Sequence, residues 1–173
     1  MTDIVLLEQL KTFVEEQTKD IILPVRPVKN KTTEEYQAEN PVVKHRVPEV
    51  FLQRLPDKDA ETNRIPYILL QVLTGIDDQN SDGDYDSECK VRLVAATYSE
   101  DGQAGSMALM NVLTRLRVAL LRERQVGQFL LRLPLERVVY PDNVSPYYLG
   151  EMLLTFEMPE IQREINFESE ENI

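Results

Sequence analysis

The run Ile65-Pro66-Tyr67-Ile68-Leu69-Leu70-Gln71-Val72-Leu73 limits what this chain can fold into more than any other segment. Nearly continuous apolar residues over a strand's length predict a strand covered on both faces, placed in the middle of a core. A second strand is predicted at Cys89–Tyr98, which alternates and puts Lys90 and Arg92 on one face. The economical pairing of the two is an antiparallel hairpin closed by the acidic loop 77–88. Ser99-Glu100-Asp101-Gly102 then has turn and cap chemistry. From Gln103 to Arg124, Met107, Leu109, Met110, Val112, Leu113, Leu116, Ala119 and Leu120 keep a helical period, predicting the longest helix. Its polar side carries Arg115, Arg117, Arg122 and Arg124, the last two where the helix dipole favours cations.

Before these elements, Leu6, Leu7, Leu10, Phe13 and Val14 predict an amphipathic helix over 3–18, with Thr2 or Asp3 as its cap. Asp20–Val25 reads as an edge strand, because Pro24 and Pro27 donate no ladder hydrogen bond. Residues 29–64 read as a loop-rich insertion, polar over 29–41 and again from Pro56 to Arg64, with extended character at 42–52 interrupted by Pro48. After the long helix, Val126–Leu133 and Leu135–Tyr140 read as short strands separated at Pro134, and Pro141–Pro146 as a turn. Tyr147–Met158 alternates cleanly, with one face more buried than the other, and ends at Pro159. The chain therefore reads as one α+β domain over 1–160 followed by an acidic tail, 161–173, expected to be flexible.

A length of 173 residues suits one domain with a core of its own. No apolar run approaches the roughly 20 residues of a membrane span, and the N-terminus lacks a basic region ahead of an apolar stretch. Those features predict a water-soluble protein without membrane association, and a single cysteine, Cys89, predicts a cytosolic address. The formal charge of −11 argues against direct nucleic-acid binding, which needs a basic stripe. The acid is local: residues 77–88 hold Asp77, Asp78, Asp82, Asp84, Asp86 and Glu88 with no base. Glu160, Glu164, Glu168, Glu170 and Glu171 against Arg163 make up most of the rest.

Few residues carry recognisable chemistry. Asp78, Asn80, Asp82 and Gly83 match positions 1, 3, 5 and 6 of an EF-hand calcium loop, and Asp84 adds a further oxygen donor. Position 12 holds Cys89 instead of a bidentate carboxylate, and the flanks read as strands. His45 is the only histidine, no G-x-S-x-G elbow accompanies it, and one His with one Cys makes structural zinc unusual. Gly102 and Gly105 open a helix but match neither phosphate-binding pattern. Met107, Met110, Met152 and Met158 read as core packing, and Cys89 as a small buried apolar residue. No catalytic residue and no cofactor is expected.

The order of elements resembles the tail terminator (tail completion) proteins of long-tailed bacteriophages and prophages. The resemblance rests on the N-terminal helix, the strand Ile65–Gln71, and Val91–Asp101 running into the helix with Met110–Leu116. The closing strand Tyr148–Phe156 completes it. It implies an α+β fold: a curved, mainly antiparallel sheet packed against the N-terminal helix and the long central helix. It also implies a homo-oligomeric ring, typically hexameric, that caps the tail tube, ends its polymerisation and presents a head-joining surface. The partners would be further copies of the chain, the tail tube protein and a head-tail connector protein, with DNA passing nearby without specific binding. Its location would be the bacterial host cytoplasm during assembly, then the virion tail. Such a ring needs complementary patches on opposite sides of a protomer. Asp82, Asp84, Asp86 and Glu88 on one side and Arg115, Arg117, Arg122 and Arg124 on the other are the candidates. A head-tail neck connector and a calcium-responsive binding module on 78–88 are the alternatives, and the acidic loop is also a candidate lining for a DNA channel.

Overall fold

A computed structural model describes residues 2–26, 44–56, 65–143 and 145–160; the predicted loop 29–41, most of the loop 56–64 and the tail 161–173 lie outside the described residues. Helix α1 (Asp3–Thr18) is followed by β1 (Leu23–Pro24), β2 (His45–Arg46), β3 (Glu49–Leu52), β4 (Tyr67–Gln79) and β5 (Tyr85–Tyr98). Helix α2 (Gly102–Glu123) leads into β6 (Gln125–Val126), β7 (Phe129–Val139) and β8 (Tyr147–Glu157). Six strands form one sheet in the order β3-β4-β5-β8-β7-β6, and β1 pairs with β2 apart from it. Within the six-stranded sheet only β3 and β4 run parallel. The fold is α+β, a curled and mostly antiparallel sheet with both helices against it.

Period-2 geometry sends alternate side chains to one face of the sheet. Ile68 and Leu70, Val91 and Leu93, Met152, Leu154 and Phe156, and Phe129 and Leu131 share that face and are buried there. They meet Leu6, Leu10 and Val14 of α1 and Leu109, Leu113, Leu116 and Leu120 of α2 in one core. Helix α1 touches β3 and β4 at one end of the sheet and β6 at the other, so the twisted sheet curls around it. At the β6 end, the Gln128 backbone N–H donates to Gln9 Oε1 at 3.3 Å. Gly127, at φ +59°, is needed there because an added Cβ would come within 1.7 Å of that oxygen.

Helix α2 is capped as its sequence predicts: Asp101 Oδ1 accepts from the Ala104 N–H at 2.8 Å. Thr2 occupies the equivalent position of α1 with extended backbone, yet its side chain makes no cap hydrogen bond. Over β8, Gly105 lets α2 approach so closely that a Cβ would stand 2.1 Å from the Tyr148 ring. Length and composition would allow α2 to cross a membrane, but Gly105, Leu109, Val112, Leu113, Leu116, Ala119 and Leu120 are buried in the protein.

Several predictions from the sequence need correction. Burial on both faces of β4 holds only for Ile68–Leu70, and Leu73 is 49% exposed. The register of β4 against β5 shifts between Val72 and Thr74, leaving Leu73 as an extra residue in a bulge beyond which the strand leaves the helices. The middle of the sheet is β5 and β8, and Leu93–Tyr98 of β5 are all buried. The two short strands expected around Pro134 are one strand, β7, whose register against β8 shifts between Arg132 and Glu136, where proline has no N–H for the ladder. Within the span read as a loop-rich insertion, Glu49–Leu52 is β3, an integral edge of the sheet. Met152 is buried, but Met107 and Met110 are exposed on the outer side of α2, so they are not core residues.

Candidate protein interface

The register of β8 ends where Glu157 faces Glu88, so β4 and β5 continue past it as a two-stranded arm. Most of the predicted acidic loop is therefore strand, and the turn narrows to Asn80–Asp84. Asn80 organises it: Oδ1 accepts from the Asp82 N–H at 3.0 Å and the Asp84 N–H at 2.8 Å, while the Asn80 N–H donates to the Asp84 carbonyl at 2.8 Å. Gly83 supplies φ +89°. Asp78 Oδ1 accepts from the Gln79 N–H at 2.7 Å. The residues weighed as calcium ligands thus shape the turn. Among the described residues, no three His, Cys, Asp or Glu side chains gather as a metal cluster.

Below the turn, Asp77 accepts from Tyr85 Oη at 2.9 Å and also from Ser87 Oγ. Those hydroxyls, Ser87 foremost, hold its carboxyl below the usual range. At the base of the arm, on the face away from the helices, Arg132 of β7 gathers three acids. Its guanidinium lies 2.8 Å from Asp86, 3.5 Å from Glu157 and 3.7 Å from Glu88. The same face carries Arg92, which donates to Glu151 at 2.6 Å and to Tyr140 Oη at 3.2 Å. Asp86 and Glu88 are accordingly engaged within the protomer, whereas Asp82 and Asp84 stand at the exposed tip without an ion pair among the described residues.

The arginines divide in the same way. Arg115 pairs with Asp20 at 3.0 Å. Arg124 ends α2 in the left-handed conformation, φ 56°, and its guanidinium donates to the Leu131 carbonyl at 3.1 and 3.2 Å, tying the helix end to β7. Arg117 and Arg122 have no ion pair among the described residues. Of the eight predicted interface residues, then, Asp86, Glu88 and Arg115 are ion-paired within the protomer, whereas Asp82, Asp84, Arg117, Arg122 and Arg124 have no ion pair among the described residues.

Sequence reasoning missed a groove between α2 and the second half of β7. Met110, Leu113, Thr114, Arg137 and Val139 line about 230 Å³ of it. Met107, Met110, Thr114 and Val118 recur at helical spacing on the outer side of α2, a second apolar stripe opposite the one that packs on the sheet. Spacing alone contained that signal, since α2 has apolar residues around much of its circumference. Which stripe would be covered depended on the sheet.

His45 is exposed in β2, and Cys89 is fully buried in the core. No model of a known protein family matches the chain, and no curated protein matches it either.

Proposed function

We propose that this chain is a structural assembly protein of a phage or prophage tail, forming a ring that caps the tail tube, ends its polymerisation and presents the head-joining surface. The observation that carries the reading is the distribution of surfaces on the curled sheet. An acidic arm extends from the β4 side, and an apolar groove flanked by arginines lies on the β7 side. Separate, unlike patches on one protomer are what a closed heterologous ring requires. The fold agrees with what the resemblance implies, a curved antiparallel sheet against an N-terminal and a central helix. The protein would act in the host cytoplasm and remain in the virion tail, passing DNA without reading its sequence.

The test is genetic and structural together. Removing the gene from its phage or prophage should give overlong or unjoined tails by electron microscopy, and normal tails would overturn the proposal. Purified protein should bind isolated tail tubes; binding to filled heads alone would make it a neck connector instead. A calcium-responsive module is the weaker reading, because Asn80 Oδ1 already accepts two backbone N–H groups.

A further inference from the structure

We infer that neighbouring protomers join by seating the β4–β5 arm of one copy in the α2–β7 groove of the next. The inference rests on the ring reading and specifies its interface.

Placement is the first support. In the strand order β3-β4-β5-β8-β7-β6, the arm belongs to the second and third strands and the groove to the fifth, with β8 between them. The arm runs on past the Glu157 end of β8, whereas the groove residues Arg137 and Val139 pair with Met152 and Gly150 toward its other end. The arm therefore leads away from the groove of its own protomer and can meet one head to tail around a ring.

Chemistry is the second. The groove exposes Met110, 49% accessible, and Val139 at 44%, and Met107, 59% accessible, lies about a turn before Met110 on the same side of α2. It also carries two cations, Arg137 in its lining and Arg117 one helical turn beyond Thr114, neither ion-paired among the described residues. At the base of the arm Ile76 is 49% exposed, as is Leu73 in the bulge just before it, and Asp78, Asp82 and Asp84 have no cation partner among the described residues. Apolar side chains with unpaired acid on one surface match apolar side chains with unpaired base on the other. Several other charges on these elements are paired within the protomer: Arg132 holds Asp86 and Glu88, and Arg115 holds Asp20.

Rigidity is the third. Arg132 fixes the base of the arm, and Asn80 and the Asp77 hydroxyl contacts fix its tip, so docking has little left to order.

Cross-linking the full chain tests this directly. Ile76→Cys and Met110→Cys in one chain should give disulfide-linked multimers on oxidation in the presence of tail tubes, and neither substitution alone should do so. The native thiol, Cys89, is fully buried and leaves the readout clean. In parallel, Arg137→Glu and Asp78→Arg should each weaken ring assembly roughly tenfold or more by native mass spectrometry, and the two together should recover most of it. Unchanged far-ultraviolet dichroism would confirm that these surface variants fold.

Rings from the unaltered protein, together with a double-cysteine variant that does not cross-link and charge-reversal variants that assemble normally, would overturn the interface and leave the ring reading standing. A Met110→Glu variant that keeps its rings but loses the tail tube would assign the groove to the tube and overturn the inference. No oligomer from the unaltered protein, alone or on tubes, would defeat the ring reading itself.

Discussion

Asp77 sits beneath two hydroxyls, Ser87 Oγ and Tyr85 Oη, whose hydrogen bonds are stronger to its ionised form than to the neutral acid. Its folded pKa therefore lies below the ordinary carboxylate value of 3.8. The stability it contributes is complete above that value and is lost as pH falls through the lower folded pKa. Amide exchange of the arm, corrected for intrinsic rates, should stay level from about pH 7 to about pH 5 and accelerate below about pH 4. Asp77→Asn should remove that acid-dependent step; an unchanged profile in the variant would show that another carboxylate is responsible. Cys89 offers a second check at this scale. Burial pushes its thiol up to about 12, so iodoacetamide at pH 8 should label it only when the protein unfolds. Rapid labelling of the folded protein would contradict the packing described. That Cys89 is a small buried core residue was readable from its place at the start of an alternating strand. The partners of Asp77 were not, because the pairing with Ser87 depends on how the two strands of the hairpin align.

At the scale of elements, the two helices make a controlled comparison. Asp101 caps α2 through the Ala104 N–H, whereas Thr2 makes no side-chain bond to α1. Asp101→Ala should therefore cost about 1 kcal/mol, within a range of roughly 0.5 to 2, and Thr2→Ala should cost close to nothing, both read from urea midpoints. Equal losses would refute the cap assignment. Residue chemistry pointed to both caps and could not choose between them, since a capping side chain must also find its rotamer free. Strand bounds show the same division. The alternation of Tyr147–Met158 predicted β8 to within a residue, with Tyr148, Met152, Leu154 and Phe156 inward. Pro134, in contrast, looked like a break and proved to be a bulge, because β8 resumes pairing with β7 at Glu136.

For the whole molecule, α1 bridges the two ends of the curled sheet, so its core face bears on the entire fold. Leu10 is fully buried, and Leu10→Ala should lower global stability by about 2 to 5 kcal/mol in urea. Met110 lies on the outer stripe of α2, and Met110→Ala should change stability by less than about 0.5 kcal/mol while impairing assembly. A comparable stability loss at both positions would mean that the outer stripe is covered within the protomer. Both helices, the alternation of β5 and β8 and the concentration of acid were determined by the sequence alone, because periodicity follows from backbone geometry at short range, whereas β3, the continuity of β7 and the exposed outer half of β4 were not. Which charges remain for a partner was decided only by the tertiary structure. Asp86 meets Arg132 and Asp20 meets Arg115 across long stretches of chain, brought together by sheet register and helix packing that no local pattern encodes. The outer stripe of α2 was equally undetermined until the sheet chose the other side of the helix.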